Sequence, residues 1–144
     1  MASGRATPRS SASVWSEAEA ETDSAEAGGT KVIAHVVLFR PKADLPLEDR
    51  RALVAAFERA IRTIPTVRAV SVGRRVRHGA GYEQAAPDDA DYLVTIQFDD
   101  LDGLRVYLAH PAHQELGARF GRSQSAGAVY DFDVGGLEAL QQLI

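Results

Sequence analysis

The sequence predicts a ferredoxin-like α+β fold, β-α-β-β-α-β, built on a four-stranded antiparallel sheet. Three observations predict it. Four short runs rich in β-branched and aromatic residues fall at 31–40, 67–77, 91–98 and 128–134. A long apolar stripe at helical spacing follows the first run, and two shorter ones, divided by Pro111, follow the third. The strands are apolar on both faces, so a sheet with helices on one side needs a cover on the other. Pairing two such sheets across a dimer axis is the economical cover.

The chain divides into a leader (1–29), a single domain (30–136) and a short tail (137–144). The leader, "MASGRATPRSSASVWSEAEAETDSAEAGG", is Ser-, Ala- and Glu-rich, and Val14 and Trp15 are its only strongly apolar side chains. Such a segment does not bury enough apolar surface to offset its ordering entropy, and it is expected to be unstructured. It lacks the apolar stretch of a secretory signal, and Glu17, Glu19, Glu21, Asp23 and Glu26 are foreign to a basic transit peptide.

"KVIAHVVLFR" (31–40) is the first strand, stopped by Pro41. It is apolar on both faces apart from His35, so it belongs in the sheet interior, with His35, Val37 and Phe39 on one face. Asp44 as N-cap, Pro46 in the first turn and Glu48 and Asp49 near the start open a helix. Its stripe is Leu53, Phe57, Ala60, Ile61 and Ile64, and Pro65 ends it. Residues 67–77 form a second, more basic strand, and "HGAGYEQAAPDDA" a loop. "DYLVTIQF" sets Tyr92, Val94, Ile96 and Phe98 on one face and Leu93, Thr95 and Gln97 on the other. "DDLDGLRVYLA" is a short helix burying Leu101, Leu104 and Leu108. Pro111 suits the first turn of the next helix, so the chain bends near His110. "AVYDFDV" closes the sheet, and the tail forms a last helix or packs on a neighbour.

Composition excludes several classes of function. The formal charge is −4, and the leader carries most of it with two arginines against five acids, so the body is near neutral. That gives no electrostatic footprint for nucleic acid or a membrane surface. There is no cysteine for disulfides, thiol redox chemistry or Cys-ligated metals. No apolar run has membrane-spanning length. The expectation is a soluble, cytoplasmic protein. The basic run "GRRVRHG" reads as a solvated strand edge beside compensating acids, with His78 solvated in the following loop.

Chemistry concentrates in "YLAHPAHQELG" (107–117), which holds two of the four histidines. Three readings fit it: an acid/base site, a metal clip, or a polar helix junction. A clip is disfavoured because Pro111 breaks the helix that would align His110 with His113, and a third ligand is needed. No residue pattern calls for a metal or a cofactor. His110 fits a capping role at the junction, and His35 fits a hydrogen-bonded core histidine.

"HVVLFR", "IPTVRAVSVG", "DYLVTIQFDDLDGLRVYLAHPAH" and the closing "VYDFDV" together resemble the stress-responsive dimeric α/β-barrel (Dabb) family over residues 31–134. That family includes the plant olivetolic acid cyclase. The resemblance implies a homodimer and places a reactive histidine and tyrosine at His113 and Tyr107. It places pocket lining at His35, Phe57 and Tyr92. Tyr92 stands where the cyclase has a histidine, and Phe57 where it has a tyrosine, so the pocket wall differs. Two functions follow as expectations. One is a cofactor-free enzyme acting beside a carbonyl, in the manner of a polyketide cyclase, isomerase or lyase, with a polyketide-like ligand. The other is a non-catalytic stress-related or small-molecule-binding barrel.

Overall fold

Val32–Pro41 is almost wholly β-branched or apolar, and it forms the central strand β1. A computed structural model describes residues 32–144. After β1 come α1 (Leu47–Thr63), β2 (Ala69–Arg74), β3 (Tyr92–Phe98), α2 (Leu101–Ala109), α3 (Pro111–Ser123) and β4 (Gln124–Val134). Single 3-10 segments lie at Gly81–Gln84 and Leu137–Leu143. The strands lie in the order β2-β3-β1-β4 with every neighbour antiparallel, which is the predicted ferredoxin-like arrangement. The sheet is open, with β2 and β4 at its edges. The predicted leader (1–29) and Lys31 of the first predicted strand lie outside the described residues.

Several boundaries differ from expectation, each for a local reason. Asp44 does not cap α1. Pro46 takes that position without a side-chain hydrogen bond, its φ of −58° leading the chain into the helix. β2 starts at Ala69 rather than 67, because the Val67 N–H is committed to the Ile64 carbonyl in the turn after α1. It ends at Arg74 rather than 77. β4 begins at Gln124, not 128, because α3 runs straight into it, and the pairing with β1 shifts register between Arg40 and Pro41. Within the predicted loop, Gly81–Gln84 winds one 3-10 turn, and Glu83 accepts from the His78 N–H at 2.8 Å. The tail adopts a 3-10 conformation and leaves Leu137, Leu140 and Leu143 exposed.

The core lies between one face of the sheet and the helices. Ile33, Val37 and Phe39 of β1 and Val94, Ile96 and Phe98 of β3 meet Leu53, Ala60 and Ile64 of α1, Leu104 of α2, and Leu116 and Phe120 of α3. Fully burying each large apolar side chain contributes about 1.5–3 kcal/mol. Leu101 and Leu108, predicted to be buried, are only half-buried against this core; the buried side chains of α2 are Leu104, as predicted, and Tyr107.

The opposite face is also apolar. Register sets Val36 beside Thr95 and Tyr130, and Ala34 beside Gln97 and Phe132. Tyr130 and Phe132 are 54% and 51% exposed. In β4 the usual alternation is inverted: Asp131 and Asp133 share the helix-side face with Val129, while Ala128, Tyr130, Phe132 and Val134 point to the open face.

Candidate active site

The site is assembled at the break between α2 and α3. Pro111 has no N–H, and His110 leaves helical geometry at φ −69°, ψ 140°, so two helices replace one. In an unbroken helix the Ala112 N–H would bond the Leu108 carbonyl. Here it donates instead to His110 Nδ1 at 3.0 Å, which is the capping role that the place of His110 before Pro111 predicts. The Leu108 carbonyl, one of the orphan acceptors of a helix end, is left to side chains. It accepts from His113 Nδ1 at 3.1 Å and from Gln114 Nε2 at 3.2 Å.

That contact fixes the state of His113. A carbonyl only accepts, so Nδ1 carries the proton and Nε2 keeps its lone pair. The ring is 2% exposed, and burial pushes its pKa down to about 4. Repulsion from His35 adds to the shift, and the Leu108 hydrogen bond partly opposes it. Tyr107, in the last turn of α2, is 1% exposed, and burial raises its hydroxyl well above the ordinary phenol range. At neutral pH His113 is therefore a neutral acceptor and Tyr107 a protonated donor.

The two rings are neighbours, with centroids 4.7 Å apart, and the His35 ring lies 5.8 Å from that of Tyr107. His35 is itself held. Its Nδ1 lies 2.6 Å from Asp131 Oδ1, directly across the β1–β4 pairing, so the carboxylate accepts and Nε2 is left for other partners. Asp131 is the residue that sequence reasoning missed. Its signal was the inverted alternation of "VYDFDV", an acid on the strand face that points inward.

His35, Phe57, Tyr107 and His113, with Leu116 and Phe120, line one cavity between sheet and helices. Its free volume is about 10 Å³, room for one water at most. Tyr92 is not part of it. It pairs with Phe39, whereas His35 pairs with Ile96, so Tyr92 lies four residues along β3, about 13 Å away. Tyr92 stacks on Phe39 at 5.4 Å and faces a separate groove with Arg74, Arg75 and Arg77. Among the described residues no three His, Asp or Glu side chains gather as metal ligands. His78 is at the surface, 3.0 Å from the Tyr82 hydroxyl.

Solved structures place this architecture. A dimeric ferredoxin-like protein of unknown function from Thermobifida fusca is 22% identical, with a TM-score of 0.57 over 72% of this chain and 92% of that one. The Arabidopsis thaliana protein At3g17210 is 21% identical, with a TM-score of 0.61 over 73% of this chain and 97% of that one. A hydroxynitrile lyase from Passiflora edulis is 13% identical, with a TM-score of 0.64 over 75% and 97%. At these identities the likeness is one of fold. No curated protein sequence matches the chain. The family model described as the stress responsive A/B barrel domain matches residues 33–134, and the chain belongs to that family.

Proposed function

We propose that the protein is a cofactor-free enzyme that removes a proton next to a carbonyl, with His113 as base and Tyr107 as hydrogen-bond donor. The observation that carries this reading is the Leu108 hydrogen bond, which leaves Nε2 unprotonated on a His113 ring that neighbours Tyr107, whose hydroxyl keeps its proton. In this mechanism Nε2 takes the proton from the carbon α to the carbonyl. The Tyr107 hydroxyl donates to the carbonyl oxygen as it gains enolate charge. The enolate carbon then attacks a second carbonyl of the same chain in an aldol-type closure, and His113 returns its proton to the new alkoxide. His35, held by Asp131, and Phe57 line the space around the ligand. The hydroxynitrile lyase of Passiflora edulis is an enzyme of this fold, which supports a catalytic use of it.

The unit of function in this reading is a homodimer. The apolar open face of β1 and β4 requires a cover, and the relatives from Thermobifida fusca, Bacteroides fragilis and Jannaschia are described as dimeric. Two sheets closed face to face make the barrel, and the domain spans 30–136.

A second reading is favoured by the cavity itself. At about 10 Å³ it holds no organic substrate until the helices move. A protein that stays closed is a non-catalytic member of the family. Turnover of poly-β-keto thioesters separates the two. Wild type is expected to act, and His113→Ala and Tyr107→Phe to lose about 100-fold in kcat/KM. Equal rates in wild type and His113→Ala would remove the proposed base. Inactive wild type leaves the binding reading.

A further inference from the structure

The run "GRRVRHG" does not simply line a solvated edge. Arg74 at the end of β2, with Arg75 and Arg77 beyond it, walls an open groove of about 340 Å³, a size ordinary for small-molecule sites. Asp91 and Tyr92 complete the wall. Both Asp91 oxygens are already bonded by Arg40, at 3.1 Å each. Asp88 is shared by Arg40 at 2.7 Å, Arg75 at 3.6 Å and Arg77, so one carboxylate serves three guanidinium groups. Glu83 is turned to the backbone N–H groups of His78 and Gly79. Among the described residues no carboxylate pairs with Arg74. Each guanidinium has five N–H donors, so the groove has donors and positive charge that its own acids do not use.

We propose that this groove binds the oxyanion head, phosphate or carboxylate, of an organic ligand. Planar guanidinium groups converging on one space match the geometry of either head. The Tyr92 ring gives the ligand's apolar part a surface. Tyr92 stacks on Phe39 at 5.4 Å, and Phe39 meets Phe120 at 5.0 Å and Phe57 at 6.4 Å. Phe57 and Phe120 line the His113 cavity, so an aromatic row leads from the arginines to the histidines. Assigning the groove as the head-group site of the reacting compound rests on the reaction proposed above. The anion site does not.

The test is amide and arginine Nε NMR of the full chain at low salt, titrated with 4′-phosphopantetheine in one arm and octanoate in the other. Saturable shifts at Arg74, Arg75, Arg77 and Tyr92 are expected in at least one arm, weakened by added salt. A response to one ligand alone names the head group; a response to both defines a general oxyanion site. Arg74→Ala, which breaks no ion pair, is expected to weaken binding about tenfold, the loss of one charged hydrogen bond. His113→Gln is expected to leave the titration unchanged, so failure of the proposed reaction reads separately. No saturation in either arm, or equal binding by Arg74→Ala, overturns the site.

Discussion

His113 owes its state to a carbonyl five residues before it in the chain, and its neutrality has a measurable consequence. An unfolded imidazole titrates near 6.5, and folded His113 near 4. Between those values the unfolded chain binds a proton that the folded one does not. The stability that depends on neutral His113 is thus complete above about pH 6.5 and is lost as pH falls towards 4. The loss amounts to roughly 3 kcal/mol across the window. Urea unfolding at pH 7 and pH 4.5 should show a smaller drop for His113→Gln than for wild type. Equal drops would mean that a charged ring is accommodated. The same shift implies that any turnover stays flat from about pH 6 to pH 8, since neither His113 nor Tyr107 titrates there. Asp131 gives a second prediction at this scale. Asp131→Ala leaves the buried His35 Nδ1 without its partner and should cost about 1–3 kcal/mol, whereas Asp131→Asn keeps an acceptor and costs less. Denaturant midpoints of the two variants check it.

At the scale of the element, the α2–α3 junction decides what the helices do. Pro111 halts α2, His110 caps α3, and the carbonyl freed between them orients the catalytic candidate. Removing the cap with His110→Ala should lower stability by about 1 kcal/mol, and His110→Asn should recover most of it. Thermal or urea unfolding reads both, and an unchanged His110→Ala would show that the cap contributes nothing. Strand β4 makes the complementary point. Apart from Val129, its large apolar side chains face away from the chain's own core, and its acids face towards the helices. That inversion gives each face its own character: Asp131 reaches His35, while Tyr130 and Phe132 lie exposed on the open face.

For the whole molecule, the proposed homodimer is what can be tested. An exposed apolar sheet face is costly in water, and in the proposed dimer a second copy would remove it by an isologous contact. Sedimentation should give a species of twice the 15.5 kDa chain mass. Tyr130→Lys combined with Phe132→Lys should sediment as a folded monomer, because both side chains are outside the chain's own core. A monomeric wild type would sink the homodimer. No helix among the described residues is long and apolar enough to cross a membrane.

Element order, the central place of β1, the helix stripe of α1 and the break at Pro111 were legible in the sequence, because periods of 2 and 3.6 residues and a missing N–H act within a few residues. The resemblance, not spacing, also grouped His35, Phe57, Tyr107 and His113, which line one cavity. The resemblance placed Tyr92 with them, and β1–β3 register carries it to the far end of the sheet. Asp131 stayed hidden because its partner lies 96 residues away. Strand pairing brings those two together, and no local pattern encodes it. The tautomer of His113 depends on a carbonyl that two helices leave unpaired. The sequence by itself determined which strands and main helices form and in what order. Only the tertiary structure decided which side chains share a cavity, because register and helix junctions are properties of packed elements and not of any one of them.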